Sequence, residues 1–181
     1  MKTIKKSCLC LLLSICATIS VEAKSELSGK EAKASIQKTI SQAYSSLLPV
    51  TDLIISQSKA QCQAGSSTYI DYLQDQCATL QAKLSVLLLH NYINAEINTP
   101  PSPRFTAEQK MLAKDIRDNM ENQISLLEQQ YKAGSIPIDK IYDAKIKLFS
   151  FLLTYQHLLG LEPRSLDRQL GTLMKEYLRT N

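Results

Sequence analysis

The chain has no tryptophan, only five glycines and only two histidines among 181 residues, and each scarcity excludes something. With so few glycines there is no phosphate-cradling loop, no nucleotide fingerprint and no nucleophile elbow. His90 and His157 fall late on two predicted helices, with no carboxylate or cysteine at metal-ligand spacing. They read as ordinary polar side chains and imply neither a metal nor any other cofactor. A strong excess of one charge is also missing. Once residues 1–23 are set aside, 18 basic residues face 16 acidic ones, interspersed as on solvated helix faces. A net of +2 is no footprint for nucleic acid. Almost no alternation of β-branched residues is present, which leaves little room for sheet.

The one long apolar run lies at the start. Lys2, Lys5 and Lys6 precede an apolar stretch over 7–19 that is too short to span a bilayer, and Val21-Glu22-Ala23 has the small-x-small ending of a cleavage site. The expectation is a secretory signal peptide over 1–23, removed after Ala23, and a periplasmic or secreted mature chain. A lipoprotein signal through Leu13-Ser14-Ile15-Cys16 is the rival, disfavoured by bulky Ile15 before the cysteine. The mature chain then keeps two cysteines, Cys62 and Cys77. In an oxidising compartment they are a candidate disulfide across the first turn. Hairpin register places Cys62 about a helical turn short of Cys77, so two small apolar core residues remain the other choice.

What the sequence does carry is a near-repetition. Gln61-Cys62-Gln63-Ala64-Gly65-Ser66-Ser67-Thr68-Tyr69-Ile70-Asp71 is answered by Gln130-Tyr131-Lys132-Ala133-Gly134-Ser135-Ile136-Pro137-Ile138-Asp139, about 69 residues later. Each is an Ala-Gly-Ser break between helical stretches, where Gly tolerates φ > 0 and Ser, Thr or Pro suits the next helix start. Setting Asp71 on Asp139, with one residue slipped in the turn, aligns Asp75 with Asp143, Leu80 with Leu148 and Leu84 with Leu152.

The flanking stretches have helical periodicity. Over 26–63, Ile36, Ile40, Ala43, Leu47, Val50 and Ile54 form a heptad seam that turns polar at Gln57, with Pro49 inside it as a kink or a break. Over 68–97 the seam is Ile70, Leu73, Cys77, Leu80, Leu84 and Leu87. Pro100, Pro101 and Pro103 stop the pattern. Thr106-Ala107-Glu108-Gln109 then signals a capped third helix to about Lys132, with Leu112, Ile116, Met120, Ile124, Leu127 and Tyr131 on one face. A fourth runs from Ile138 to Leu159 through Ile141, Lys145, Leu148, Leu152, Tyr155 and Leu159, ended by Gly160 and Pro163. A short amphipathic helix over 165–178 either caps the bundle or projects from it. The predicted fold is all-α: two long antiparallel helical hairpins, coiled-coil-like, over 24–99 and 106–161, a Pro-rich linker over 100–105, and a C-terminal helix over 162–181.

Within this frame Asp71 and Asp75, like Asp139 and Asp143, are spaced i to i+4 near a helix start. A carboxylate pair suits acid/base work, but the helix dipole also favours acids in a first turn, and the dipole is preferred. Tyr69, Tyr72, Tyr92, Tyr131, Tyr142 and Tyr155 fall at or beside seam positions and are expected in the core. No convergent polar constellation marks an enzyme.

The run from Tyr131 to Ala144 resembles the repeat signature of the TolC-type outer-membrane efflux channel family: an aromatic, two residues, Gly, a short turn, then Asp, an apolar pair and Asp-Ala. The likeness continues to Tyr155 and Leu158-Leu159-Gly160, with Ala64, Gly65, Asp71 and Asp75 as a weaker first copy. It covers about 57–98 and 106–161. The resemblance implies that Ala64, Gly65 and Ser66, with Ala133, Gly134, Ser135 and Asp139, are contact turns at hairpin tips. It also implies a periplasmic adaptor or self-association, as a trimer, for partners. That family inserts β-strands between such helices, and residues 99–104 are too few for them. The implied function is therefore the periplasmic hairpin part of an export or efflux assembly, without the pore. The alternative is a stand-alone secreted or periplasmic four-helix bundle that binds a protein, a lipid or a small ligand.

Overall fold

The computed structural model describes residues 29–94 and 105–180. The expected leader and the core of the Pro-rich linker lie outside them. Among the described residues there is no strand. Six helices follow one another: α1 (Gly29–Gln63), α2 (Tyr69–Asn94), α3 (Ala107–Lys132), α4 (Asp139–Thr154), α5 (Gln156–Leu159) and α6 (Pro163–Thr180). The protein is all-α.

Two compact units divide the chain, with boundaries between Val50 and Thr51 in α1 and between Leu84 and Ser85 in α2. In the first unit Ile40 and Leu47, one heptad apart, and Val86 are buried. Pro49 does not break the helix, which continues to Gln63. Pro49 and Ser45, whose carbonyl its ring deprives of a donor, are both exposed residues.

The second unit holds both turns. Ser58 of α1 donates from Oγ to Asp75 Oδ2 of α2 at 2.8 Å, and Lys83 reaches Asp52 at 3.3 Å. These cross-links set α1 and α2 antiparallel. The seam on this part of α1 is not the predicted one: Ile54 is only half-buried, while Thr51 and Ser58 are buried. The stripe has turned toward α2, and small hydroxyl residues let the helices approach. On α2, Leu73, Cys77 and Leu84 are buried on one side, and Thr79 and Ala82 on the opposite side. Asp75, four residues before Thr79, receives Ser58 on the second side. Gln76 accepts from Asn119 Nδ2 of α3 at 2.9 Å. With α1 and α3 both packed against it, α2 is covered on two sides, one apolar and one carrying small and polar groups, which the single predicted seam did not capture.

Helix α3 starts on a capping box: Gln109 N–H donates to Thr106 Oγ1 at 3.2 Å, and Thr106 N–H to Gln109 Oε1 at 2.9 Å. That reciprocal pair accounts for Gln109 being buried although polar. Leu112, Ala113, Ile116 and Ile124 form the α3 core face, and each fully buried Leu or Ile there contributes roughly 1.5–3 kcal/mol. Helix α4 packs Ile141, Tyr142, Leu148, Phe151 and Leu152 inward and is tied to α3 by Lys145 on Glu128 at 2.9 Å. The fourth helix does not run unbroken to Leu159. It stops at Thr154, whose hydroxyl donates back to the Ser150 carbonyl at 2.8 Å, a competing bond that bends helices. Helix α6 lies on α4 through the edge-to-face pair of Tyr142 and Tyr177, ring centroids 5.2 Å apart.

Candidate functional site

The repeated segments form the same backbone device. In the first turn Ala64 N–H donates to the Ala60 carbonyl, Gly65 N–H to that of Cys62 and Ser66 N–H to that of Gln61, at 2.9, 3.1 and 3.0 Å. In the second, Ala133, Gly134 and Ser135 donate to Gln129, Tyr131 and Gln130 at 3.1, 2.8 and 2.9 Å. Gly65 and Gly134 both have φ of 70°. The 6→1 and 5→2 bonds around a left-handed glycine are a Schellman C-cap, made twice. Ala64, Gly65, Ser66, Ala133, Gly134 and Ser135 are all exposed.

Past the caps the two copies diverge. Thr68 and Asp71 close a box in which Thr68 N–H and Oγ1 donate to Asp71 Oδ2 at 3.0 and 2.8 Å, and Asp71 N–H donates to Thr68 Oγ1 at 3.1 Å. The second copy starts α4 at Asp139, after Ile138, with no side-chain cap. Asp71 and Asp139 therefore do different jobs despite the alignment that pairs them. Asp71 closes an N-cap, and exposed Asp139 adds a negative charge to the first turn of α4. Asp75 is engaged by Ser58, whereas exposed Asp143 lines an open groove of about 230 Å³ with Lys140 and Lys147.

The turns lie side by side. Thr68, Tyr69 and Ile70 at the start of α2 share a cleft of about 330 Å³ with Leu126, Gln129, Gln130, Ala133 and Ser135 at the end of α3. Its lining carries no ionisable acid or base, only amides, hydroxyls, one tyrosine and apolar groups. Tyr69 and Tyr131, expected in the core, are 50% and 43% exposed. They stand at helix ends beside the turns, where the packing is partial and the Tyr69 ring borders the open cleft. Tyr142 is buried as expected, Tyr72 and Tyr155 are half-buried, and the Tyr92 side chain lies outside the described residues.

Cys62 and Cys77 are free thiols, so the candidate disulfide is not formed. Cys77 is on the Leu73 side of α2, away from the stripe that meets α1, and Cys62 sits at the end of α1. Burial pushes the Cys77 thiol up to about 11. The Ser67 hydroxyl is buried in the first turn without a partner. Exposed His157 lies on α5, and the His90 side chain is outside the described residues. Among the described residues no three His, Cys, Asp or Glu side chains converge as a metal site, and no helix is long and apolar enough to cross a membrane.

Fold and turns together define a class, an all-α protein built from helical hairpins with matching tips. No family model, no curated protein and no solved structure matches the chain.

Proposed function

We propose that this is a non-enzymatic, periplasmic helical-hairpin protein that acts in an export or efflux assembly through its two hairpin tips. The observation that carries this is the pair of Schellman turns with identical hydrogen bonding, exposed, adjacent and built from small residues. Small side chains let a partner's backbone come close, and the glycine geometry holds the turns without a ligand.

Self-association follows from the same repeat. Inside the second unit the returning helix of hairpin one, α2, meets the outgoing helix of hairpin two, α3, at the tip cleft. The repeat counterparts of the meeting residues, Ala60, Gln61 and Ala64 on hairpin one and Pro137 and Asp139 on hairpin two, are exposed. A second copy set against them repeats the internal contact, and such a head-to-tail contact closes into a ring when its rotation permits, a trimer by the family resemblance.

The test is a photo-crosslinking amino acid at Ser66 or Ser135, in cells, with exposed Lys114 of α3 as the control position. Tip-specific crosslinks to an envelope adaptor, together with an export defect on deletion of the gene, are expected. Equal crosslinking from Lys114, or a deletion strain with normal export, would remove the proposal. The alternative, a stand-alone bundle that binds a protein, lipid or small ligand, draws on the Gln76 to Asn119 bond that holds the hairpins side by side. It expects a monomer with ligand density in the bundle and no tip crosslinks.

A further inference from the structure

Helix α6 segregates its charges. Taking about 100° per residue, Arg164, Arg168, Lys175 and Arg179 fall within an arc of about 60° along a ridge about 22 Å long. The apolar stripe of Leu166, Leu170, Leu173 and Tyr177 occupies the opposite side, where Leu166 and Leu173 are buried and Tyr177 meets Tyr142 of α4. The docking of α6 on α4 therefore turns the ridge outward. All four cations are exposed, and none is held in an ion pair among the described residues.

Beside the ridge, on one flank, stand Met174 and Leu178, which are 42% and 71% exposed. Asp167 is on the same flank but two turns before Met174, and Glu176 is on the other flank. A cationic face next to exposed bulky apolar groups has the composition of a helix that lies in a membrane interface. The cations attract an anionic headgroup layer, and the apolar flank enters the acyl boundary. A soluble polyanion would be served by the ridge alone and would gain nothing from Leu178. No described helix can cross a bilayer, so the contact is with its surface.

We infer that the outer face of α6 docks the protein onto an anionic phospholipid surface, through Arg164, Arg168, Lys175 and Arg179 with Met174 and Leu178 inserted. This contact is separate from the tips and does not depend on what they bind.

The test is sedimentation of the chain from Lys24, which keeps every described residue, with vesicles of phosphatidylcholine alone or with about a third phosphatidylglycerol. Binding is expected only to the anionic vesicles and is lost in high salt. At about fivefold for each cation, R168Q together with K175Q weakens it by about 25-fold. Leu178→Asp weakens it as well, while all variants keep the wild-type helical signal and melting temperature because the altered side chains are exposed. Equal binding to both vesicle types, or to neither, would overturn the inference. So would a Leu178→Asp protein that binds vesicles and heparin as the wild type does, which would assign the ridge to soluble polyanions instead.

Discussion

Three glycines separate two uses of the same residue type. Gly65 and Gly134 hold φ of 70° with open space around the position of a Cβ, whereas Gly171 lies inside α6, also in open space. Gly65→Ala or Gly134→Ala therefore meets backbone strain and no clash, and urea denaturation should show a loss of about 1 kcal/mol for either. Gly171→Ala should instead raise stability by about 0.5–1 kcal/mol, since Ala is the better helix former there. The cysteines give a second contrast. Cys77 keeps its proton when folded over the interval from 9.0 to about 11 in which the unfolded chain releases it. Its contribution to stability is thus intact below pH 9 and falls as pH climbs through that window. Thiol labelling at pH 8 should modify half-exposed Cys62 first and Cys77 only on unfolding, and Cys77→Ala should flatten the alkaline slope of stability. Rapid labelling of both thiols in the folded protein would contradict this. Ser67→Ala removes a buried hydroxyl that has no partner, so it should leave stability unchanged or slightly higher.

Between helices, the buried amides decide more than their number suggests. Asn119 donates to Gln76 across α2 and α3 and accepts from Gln123 Nε2 at 2.7 Å. Asn119→Ala would strand both glutamine amides and should cost about 1–3 kcal/mol. Gln76→Leu combined with Asn119→Leu removes both ends of the interhelical bond and should recover much of that loss, as a double-mutant cycle would read out. Such a bond, like a buried Asn in a coiled coil, sets register between helices whose leucines alone would tolerate sliding. Capping was plainer from the chain itself. Thr106 with Gln109 was legible as a box because its residue types and spacing suffice, and Thr106→Ala should lower stability by about 1 kcal/mol. Thr68 with Asp71 is the same device with Asp in the second place. Its residue types are less telling, because an acid in a first turn equally suits the helix dipole.

For the molecule as a whole, the tips and their outer counterparts set the next measurement. Light scattering over a range of concentrations should show an oligomer that Ala60→Arg or Asp139→Arg dissociates without altering the helical signal, since both positions are exposed. A concentration-independent monomer would leave the tips with a different partner or with none.

Helix content, both turns and their glycine geometry were decided locally, by heptad spacing and by an Ala-Gly-Ser sequence that has few other ways to end a helix. The sequence by itself therefore determined that the chain is all-α and that it turns twice in the same manner. Which faces are buried was decided by tertiary packing. Periodicity identifies an apolar stripe, but the number and placement of neighbours determine how much of the helix is covered. Hence α2 is buried on two opposite sides, Thr51 and Ser58 replace the predicted slots on α1, and Tyr69 and Tyr131 emerge at helix ends where the packing only partly covers them. The free thiols have the same origin, because Cys62 and Cys77 are close in sequence while α2 presents Cys77 away from α1. The outward ridge of α6 depends on both levels: sequence spacing gathers the four cations, and the contact with α4 chooses which way they face.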